Sequence, residues 1–415
     1  MAQFLTGRVA IVGAGYAGMA AAVELAAAGI GVDVFEASRT LGGRARAVEI
    51  DGMRLDNGAH ILIGAYSETL RLMQLVGAQK AALQRHPLHL EYPGRLRLVA
   101  PRLPAPLHLA WTLLNASGLP WSEKVAALRF MRALGKARYH LPRDTTVRQL
   151  IANQPTALRR FLWEPLCLAA LNTPPAIASA QIFLNVLKDS LAASRAASDL
   201  LLPATDFSSL FPEPAARFVE ARHGRLHRET RLRSLDELAG FDHRILAVAP
   251  WHLPALAPQL TLPAFEWQPI ATVYLQYAEH VRLGFPMLGM AGGHGQWVFD
   301  RGPLTGQPGL LAVVISGAGP WQELGHAGLG QTIHRELVPL LPGLVLPRKT
   351  WVIEEKRATF ACTPNLARPA TATADPTLWL AGDYVAGDYP ATLEGAGRSG
   401  VRAARSVLES PRRQP

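Results

Sequence analysis

Cysteine and lysine are scarce in this chain of 415 residues, which contains two cysteines and six lysines. Cys167 and Cys362 are too few for a disulfide framework or a metal cluster, so we expect no metal site. No apolar run of 18 residues is free of charge and proline, so we expect no spanning helix. Because an apolar strand already begins at Val9, we also expect no signal peptide and a cytoplasmic location.

The chain also lacks internal repeats, low-complexity segments and recognised nucleic-acid motifs. Its formal net charge of +10 comes mostly from arginine, which is compatible with an anionic membrane, a nucleic acid or a merely solvated surface. Basic and aromatic residues are not interleaved, so we expect no nucleic-acid partner. With 49% hydrophobic residues, the chain is long and apolar enough for a large core and two domains.

A glycine-rich turn near the N-terminus is the most informative feature that the sequence does contain. Its parts are a strand at 9–12, the glycines Gly13, Gly15 and Gly18, a helix at 16–28 and a second strand at 32–35. Gly13 permits a tight turn, Gly15 lets a pyrophosphate approach the backbone, and Gly18 lets helix and strand pack closely. This framed motif predicts a dinucleotide whose pyrophosphate lies at the helix N-terminus.

The acidic residue after the second strand indicates the kind of nucleotide. Glu36 lies 23 residues after Gly13, where a carboxylate can accept hydrogen bonds from both ribose hydroxyls. The same charge disfavours the 2′-phosphate of NADP. We assign Ala37 to the same site.

Two further motifs select the cofactor. The sequence LGGRAR at 41–46 follows Glu36, and far downstream a strand at 378–381 precedes Gly382 and Asp383, with YPATLEGA at 389–396 opening a helix. Together these motifs resemble those of the FAD-dependent amine oxidase and carotenoid desaturase superfamily. The resemblance implies FAD in an α/β fold: a Rossmann-like FAD-binding domain with a discontinuously inserted α+β substrate domain. We expect non-covalent FAD, since residues 384–396 contain no cysteine.

The resemblance also implies which residues contact the flavin. Gly43 and Arg44 would meet the pyrophosphate, and Gly382 and Asp383 the pyrophosphate or the ribityl chain. The remaining assigned contacts are Asn57 and Gly58 beside the ring, Thr392, Leu393 and Glu394 at the opening of the last helix, and Leu232, on a short strand expected at 230–234, near the adenine. The expected domain segments are 1–80, 203–255 and 351–415 for FAD and 81–202 and 256–350 for the substrate.

Four blocks of sequence carry a narrower resemblance. Residues 55–66, 170–175, 181–187 and 387–395 are similar to the hydroxysqualene dehydroxylases, flavoproteins of bacterial hopanoid pathways. The similarity implies reductive removal of the hydroxyl of hydroxysqualene, an apolar isoprenoid, to give squalene. FAD must then be reduced by an external electron donor, which no motif identifies.

This reaction needs an apolar cavity and one proton donor. His60 is the first candidate, although it could equally be a structural histidine bonded to a backbone carbonyl. Asp388 and Tyr389 are the next candidates, and Asp388 could instead cap the following turn.

Residues 98–121 are apolar, broken by prolines, and contain Trp111 and Trp121 after arginines at 95, 97 and 102. Such a segment could be a buried cap over the substrate cavity. We favour a patch that enters the membrane interface, because the expected substrate is insoluble in water. The expected location is therefore cytoplasmic, peripheral to the inner membrane.

Three alternatives stay open. A carotenoid or phytoene desaturase would share the fold and the apolar cavity but would oxidise its substrate. An amine oxidase usually carries a lysine near the flavin, and the strand at 270–276 has none. A non-catalytic lipid-binding protein would not need the set Gly13, Glu36, Arg44 and Asp383.

Overall fold

The computed structural model describes residues 8–78 and 82–410, so the expected boundary between residues 80 and 81 lies outside the described residues. The strands are β1 Arg8–Val12, β2 Gly31–Phe35, β3 Ala47–Ile50, β4 Met53–Asp56, β5 Leu62–Ile63, β6 Leu83–His86, β7 His89–Tyr92, β8 Leu96–Val99, β9 Leu200–Pro203, β10 Arg225–His227, β11 His243–Leu246, β12 Trp267–Gln276, β13 Met287–Gly289, β14 Trp297–Asp300, β15 Leu310–Ser316, β16 Lys349–Phe360 and β17 Leu378–Leu380.

The helices alternate with these strands at the two ends of the chain and dominate its second quarter. They are α1 Tyr16–Ala27, α2 Ser67–Leu75, α3 Leu107–Leu114, α4 Trp121–Lys136, α5 Val147–Leu150, α6 Thr156–Leu158, α7 Glu164–Leu171, α8 Ala180–Leu187, α9 Phe207–Leu210, α10 Pro212–Glu220, α11 Leu253–Leu256, α12 Arg301–Thr305, α13 Gly325–Leu337 and α14 Leu393–Glu409. Two π-helical turns, Arg159–Trp163 and Lys188–Ala192, interrupt the helical region.

Five parallel strands form the first sheet, in the order β10-β2-β1-β11-β17. Helix α1 is buried along almost its whole length, because its alanines and glycines let it lie close to neighbouring backbone. A Cβ on Gly400 of α14 would overlap the carbonyl oxygen of Ala17, so these two helices approach each other closely. The sheet therefore places the carboxyl ends of β1 and β2 beside the N-terminus of α1, the usual ligand position in such sheets.

Five antiparallel strands form the second sheet, in the order β13-β14-β15-β12-β16. Alternate residues of β12 point to opposite faces, so Ala271, Val273 and Leu275 pack with residues of α13. Tyr274 points to the other face and joins the large core that the helical region shares. This parallel sheet joined to an antiparallel one confirms the predicted α/β class.

Three details of local structure differ from expectation. Residues 230–234 were expected to form a strand, but the strand is β10 at Arg225–His227, and the later residues run as irregular chain past Glu36. Ser122 followed by Glu123 has the residue types of a helix start, but helix α4 begins one residue earlier, at Trp121 after Pro120. Strand β16 pairs with β12 and extends the second sheet beyond the boundary expected at residue 350. The division of the chain into domain segments stays a prediction.

A buried ion pair joins the two halves of the molecule. The carboxylate of Asp56, at the end of β4, accepts hydrogen bonds from Arg301 Nη2 at 3.1 Å and from the amide of Phe207 at 2.9 Å. The hydroxyl of Tyr274 donates to the carbonyl oxygen of Asp56 at 3.0 Å. Burial raises the pKa of Asp56 to about 6, against the lowering effect of Arg301. These contacts join β4, α9, α12 and the second sheet.

We predict that Arg301→Met lowers the free energy of unfolding by about 3–5 kcal/mol at neutral pH, because it leaves a buried carboxylate without its cation. Because the folded pKa of Asp56 already exceeds the unfolded value, protonated Asp56 favours folding below about pH 4, and this contribution is lost as pH rises through 6. The cost of Arg301→Met should therefore shrink on acidification, as measured by urea unfolding at a series of pH values. The control Arg301→Met with Asp56→Asn should recover part of the loss; equal costs at all pH values would contradict the prediction.

Candidate cofactor and active site

The three motif glycines serve different purposes. Gly13 has φ +104°, and an added Cβ would lie 2.6 Å from the carbonyl oxygen of Ala247. A Cβ on Gly18 would overlap the carbonyl oxygen of Gly13, so both positions require glycine for packing. A Cβ on Gly15 would meet only Gly43 Cα, at 3.8 Å. The protein itself leaves the space before Gly15 open, which fits the approach of a phosphate there.

Glu36 lies at the end of β2, directly beside this turn. One of its carboxylate oxygens accepts from the amide of Ala14 at 2.8 Å and the other from the amide of Ser38 at 2.8 Å. Each oxygen retains acceptor capacity for a ribose hydroxyl. Ala37 is exposed, and Leu232 is partly buried two residues after Thr230, whose amide donates to Glu36 O at 2.8 Å. Leu232 thus lies near Glu36, although not on the expected strand.

Arg44 connects the N-terminal and C-terminal motifs. Its Nη2 lies 2.5 Å from Asp383 Oδ1, across 339 residues of sequence, and its Nη1 donates to the carbonyl oxygen of Ala358 at 2.6 Å. The side chain of Asp383 is nine-tenths buried, whereas that of Arg44 keeps more exposure. Gly42 and Gly43 both have positive φ, which lets the chain turn sharply ahead of Arg44.

The segment at 57–60 lies between the LGGRAR motif at 41–46 and the second sheet. Asn57 Nδ2 donates to the carbonyl oxygen of Arg44 at 3.0 Å and to Glu355 at 3.3 Å. Gly58 has φ +137°, and His60 Nδ1 lies 2.8 Å from its carbonyl oxygen. Burial, and to a smaller extent the Arg44 guanidinium, lower the pKa of His60, against the effect of this hydrogen bond. A ring that is neutral at neutral pH donates from Nδ1 to Gly58 and leaves Nε2 without a proton.

The opening of α14 is built differently from the expectation. Thr392 is its N-cap, with Oγ1 accepting from the amide of Gly395 at 3.0 Å. The Glu394 side chain is fully buried and accepts from the Thr69 amide at 2.9 Å and from Arg398 Nε at 2.7 Å. Sequence reasoning assigned Thr392, Leu393 and Glu394 to the flavin and missed that the Glu394 side chain caps the N-terminus of α2. A fully buried glutamate two residues after a capping threonine gives no local signal of such a partner.

Tyr389 has a partner that sequence reasoning also missed. Its hydroxyl donates to Asp189 Oδ2 at 2.6 Å, and the Arg398 guanidinium lies 4.2 Å from its ring centroid. Burial, and then the hydrogen bond to Asp189, raise the pKa of Tyr389, so the phenol keeps its proton at neutral pH. Asp388 is exposed, while its carbonyl oxygen accepts from Asn185 Nδ2 at 3.1 Å. The three candidate proton donors thus occupy three different environments.

Asn172, a polar residue at the end of an apolar helical segment, is a structural residue. It ends α7 in the left-handed conformation, with φ +46°. Its Nδ2 donates to Thr359 Oγ1 at 2.9 Å, and its Oδ1 accepts from the Gly317 amide at 2.7 Å. The side chain is therefore satisfied by protein and ties α7 to the second sheet.

A cavity of about 250 Å³ lies on the same face of the second sheet as the 57–60 segment. Its walls include Tyr92, Phe161 and Trp297. Trp297 of β14 lies opposite Val314 of β15, and Val314 in turn lies opposite Thr272 of β12. Thr272 contacts the 57–60 segment, because its Oγ1 accepts from the Ala59 amide at 3.4 Å. Directly paired residues share a face, so the cavity lies about two strand spacings, roughly 10 Å, from Thr272. It can hold part of an apolar chain.

Comparisons with known proteins show the family of the whole chain. The family model described as flavin containing amine oxidoreductase matches residues 16–408. Hydroxysqualene dehydroxylase of Rhodopseudomonas palustris is 32% identical, over 97% of this chain and 99% of its own length. That of Sinorhizobium fredii is 29% identical, over 96% and 98%. Zeta-carotene desaturase of Synechocystis sp. is 24% identical, over 98% of each protein.

Solved structures share the fold. An oxidoreductase from Methanosarcina mazei superposes with a TM-score of 0.73 at 15% identity, over 97% of this chain and 100% of that one. At this identity the likeness concerns the fold alone.

We predict that Glu36→Ala weakens FAD binding by about 1.5–3 kcal/mol, because ribose hydroxyls lose a charged acceptor. The measurement is FAD dissociation from the purified protein, followed by flavin fluorescence. Glu36→Gln, which keeps the size but not the charge, should fall between wild type and Glu36→Ala. Glu323→Ala, at an exposed position, is the control. Equal dissociation constants for Glu36→Ala and wild type would contradict the assignment.

Acid precipitation should release all the flavin, since the FAD is expected to be non-covalent.

Proposed function

The chain belongs to the flavin containing amine oxidoreductases and, within them, to the hydroxysqualene dehydroxylase family, and we propose that it reductively removes the hydroxyl group of hydroxysqualene to give squalene. The observation that carries this proposal is similarity to hydroxysqualene dehydroxylases over nearly the full length of both chains. The protein is an FAD-dependent oxidoreductase. The reaction consumes one proton and one hydride per substrate and releases one water.

The residues around the glycine-rich turn fit FAD. The open space before Gly15 and the acceptor Glu36 suit the adenosine diphosphate part. The joined pair Arg44 and Asp383 supplies one cation and one carboxylate near the centre of the same site. Bound FAD, once reduced, supplies the hydride. The protein must then bind the substrate, protonate its hydroxyl group and keep bulk water away.

Apolar surfaces support an isoprenoid substrate. The cavity lined by Tyr92, Phe161 and Trp297 lies on the sheet face that carries Thr272, roughly 10 Å from it. Its lining is mostly apolar, although Arg160 and Glu164 also contribute, and an apolar wall disfavours the water that could otherwise recapture an allylic cation. Amine oxidation has less support, because β12 has no lysine, and Lys349 and Lys356 of β16 are exposed.

The proposal is tested by anaerobic incubation of the reduced holoprotein with hydroxysqualene, followed by product analysis. We expect squalene, formed in one equivalent per reduced flavin. A product with an additional double bond, formed by the oxidised protein, would indicate a desaturase instead. A purified protein without flavin would revive the non-catalytic lipid-binding alternative.

We propose His60 as the group that protonates the leaving hydroxyl, with Tyr389 and Asp388 as the next candidates. Its support is its place in the 57–60 segment, where its Nδ1 lies 2.8 Å from the Gly58 carbonyl oxygen. Because its pKa is lowered, the imidazolium form that can donate a proton grows as pH falls below neutrality.

We therefore predict that single-turnover flavin oxidation by substrate accelerates on acidification from about pH 8 to about pH 6. His60→Ala should slow the reaction by about 10²–10⁴-fold and remove this pH dependence, with normal FAD occupancy. His86→Ala is the matched control, since burial also lowers the pKa of His86. A wild-type rate in His60→Ala would make His60 structural and Tyr389→Phe the next variant.

We also propose that the protein works peripherally at the cytoplasmic side of the inner membrane. Among the described residues, no helix is long and apolar enough to cross a bilayer. The membrane patch consists of Leu107 and Trp111 on α3 and Trp121 and Val125 on α4, and both tryptophans are more than half exposed. Lys124 Nζ joins the two helices by donating to the carbonyl oxygen of Leu114 at 2.9 Å. Exposed tryptophans beside cations are typical of interfacial anchors.

The patch predicts binding to anionic liposomes at low salt. Trp111→Ser with Trp121→Ser should reduce flotation by about tenfold or more, because two large apolar side chains no longer enter the interface. The matched control replaces Val345 and Leu346 by serine. These two side chains are even more exposed than the tryptophans but lie outside the patch. If the wild type does not float with anionic liposomes, or if both double variants lose binding equally, the patch is not the anchor.

A further inference from the structure

In the loop of residues 382–389, between β17 and α14, side chains bind most of the carbonyl oxygens. We call this segment the C-terminal loop. Each of the seven consecutive carbonyl oxygens from 383 to 389 accepts a hydrogen bond from a side chain. Arg402 binds the one at Ala386, Asn185 binds the one at Asp388, and Arg368 binds the other five.

The five bonds use all three nitrogens of the Arg368 guanidinium. Nη2 donates to the carbonyl oxygens of Asp383 at 2.6 Å and Val385 at 2.5 Å, and Nε to that of Tyr384 at 3.3 Å. Nη1 donates to the oxygens at 387, at 3.0 Å, and at 389, at 2.8 Å. The planar group also lies 4.9 Å from the ring centroid of Phe360. Only arginine offers five N–H donors in one rigid plane.

The loop needs such a partner because much of it is buried without a strand or helix. Residues 382–385 and 389 are buried, and buried carbonyl groups need hydrogen-bond partners. Without Arg368, several carbonyl oxygens would have to turn towards water or remain unpaired. The loop would then leave its present path.

That path places two groups of the site. Asp383, at the start of the loop, holds Arg44 at 2.5 Å, and Tyr389, at its end, donates to Asp189 at 2.6 Å. Because three side chains bind the seven carbonyl oxygens from 383 to 389, the positions of both groups depend on those side chains. Arg368 directs its five hydrogen bonds to main-chain oxygens, so it acts on both groups through the backbone.

We propose that Arg368 is a positioning residue for the flavin, which organises the C-terminal loop so that Asp383 and Arg44 meet at the cofactor site. This inference rests on FAD binding and not on the identity of the substrate. The Arg368 proposal can therefore fail while the dehydroxylase proposal holds, and the dehydroxylase proposal can fail while the Arg368 proposal holds.

The test compares holoprotein variants Arg368→Gln and Arg368→Lys with wild type. We expect FAD to dissociate about 10–100-fold more readily from Arg368→Gln, since charged hydrogen bonds are lost. Arg368→Lys keeps the charge but cannot bind five oxygens, so its effect should be intermediate. The bound-flavin absorption spectrum should lose fine structure and the flavin fluorescence should rise. Arg335→Gln, on α13 behind the second sheet, is the control.

A structural role alone would lower thermal stability without changing the flavin. The positioning role predicts that the stabilisation gained on adding excess FAD becomes smaller in Arg368→Gln than in wild type, because binding itself is weaker. Wild-type FAD dissociation and spectrum in Arg368→Gln would overturn the proposal. A lowered melting temperature would also overturn it, if the stabilisation gained on adding excess FAD stays as large as in wild type. If Arg368→Gln does not fold, the same two measurements on Arg368→Lys decide.

Discussion

The ion pair between Arg44 and Asp383 is the contact on which the cofactor site depends. It joins two motifs that are 339 residues apart, and the second Arg44 nitrogen binds Ala358 on the long strand of the other sheet. One guanidinium thus holds together the glycine-rich turn, the C-terminal loop and the second sheet. A partly buried arginine that binds two partners is well suited to this, because its geometry is rigid and its charge does not titrate.

Buried polar groups recur wherever the chain passes between its two sheets. Asp56 is held by Arg301, Glu394 by the start of α2 and by Arg398, and Arg368 by five carbonyl oxygens. In each case irregular or terminal backbone is buried, and a charged side chain supplies the hydrogen bonds that a strand or helix would otherwise provide. Such networks favour one arrangement of the site, since removing a single partner leaves a buried group unpaired. The molecule therefore combines an ordinary apolar core with a polar framework around its cofactor.

The features that were predictable are local ones. The glycine-rich turn, α1, β2 and the strand before Gly382 follow from patterns within about 20 neighbouring residues, and their roles follow from backbone geometry. The failures are equally instructive. The adenine-side strand was expected at 230–234, but backbone pairing with β2 occurs at Arg225–His227. Pairing depends on a partner strand nearly 200 residues away, which no local pattern reports.

The sequence by itself determined the cofactor class and the family, because phosphate and ribose recognition depends on glycines and one acid at set spacings within a strand–turn–helix unit. Only the tertiary structure decided which charged groups are partners. Asp189 meets Tyr389 and Arg368 meets the C-terminal loop through contacts between segments that are distant in sequence. It also decided that the pKa of His60 is lowered and that the two tryptophans of the membrane patch are exposed. Burial and long-range pairing are properties of the packed chain, so they cannot be derived from residue types and spacings alone.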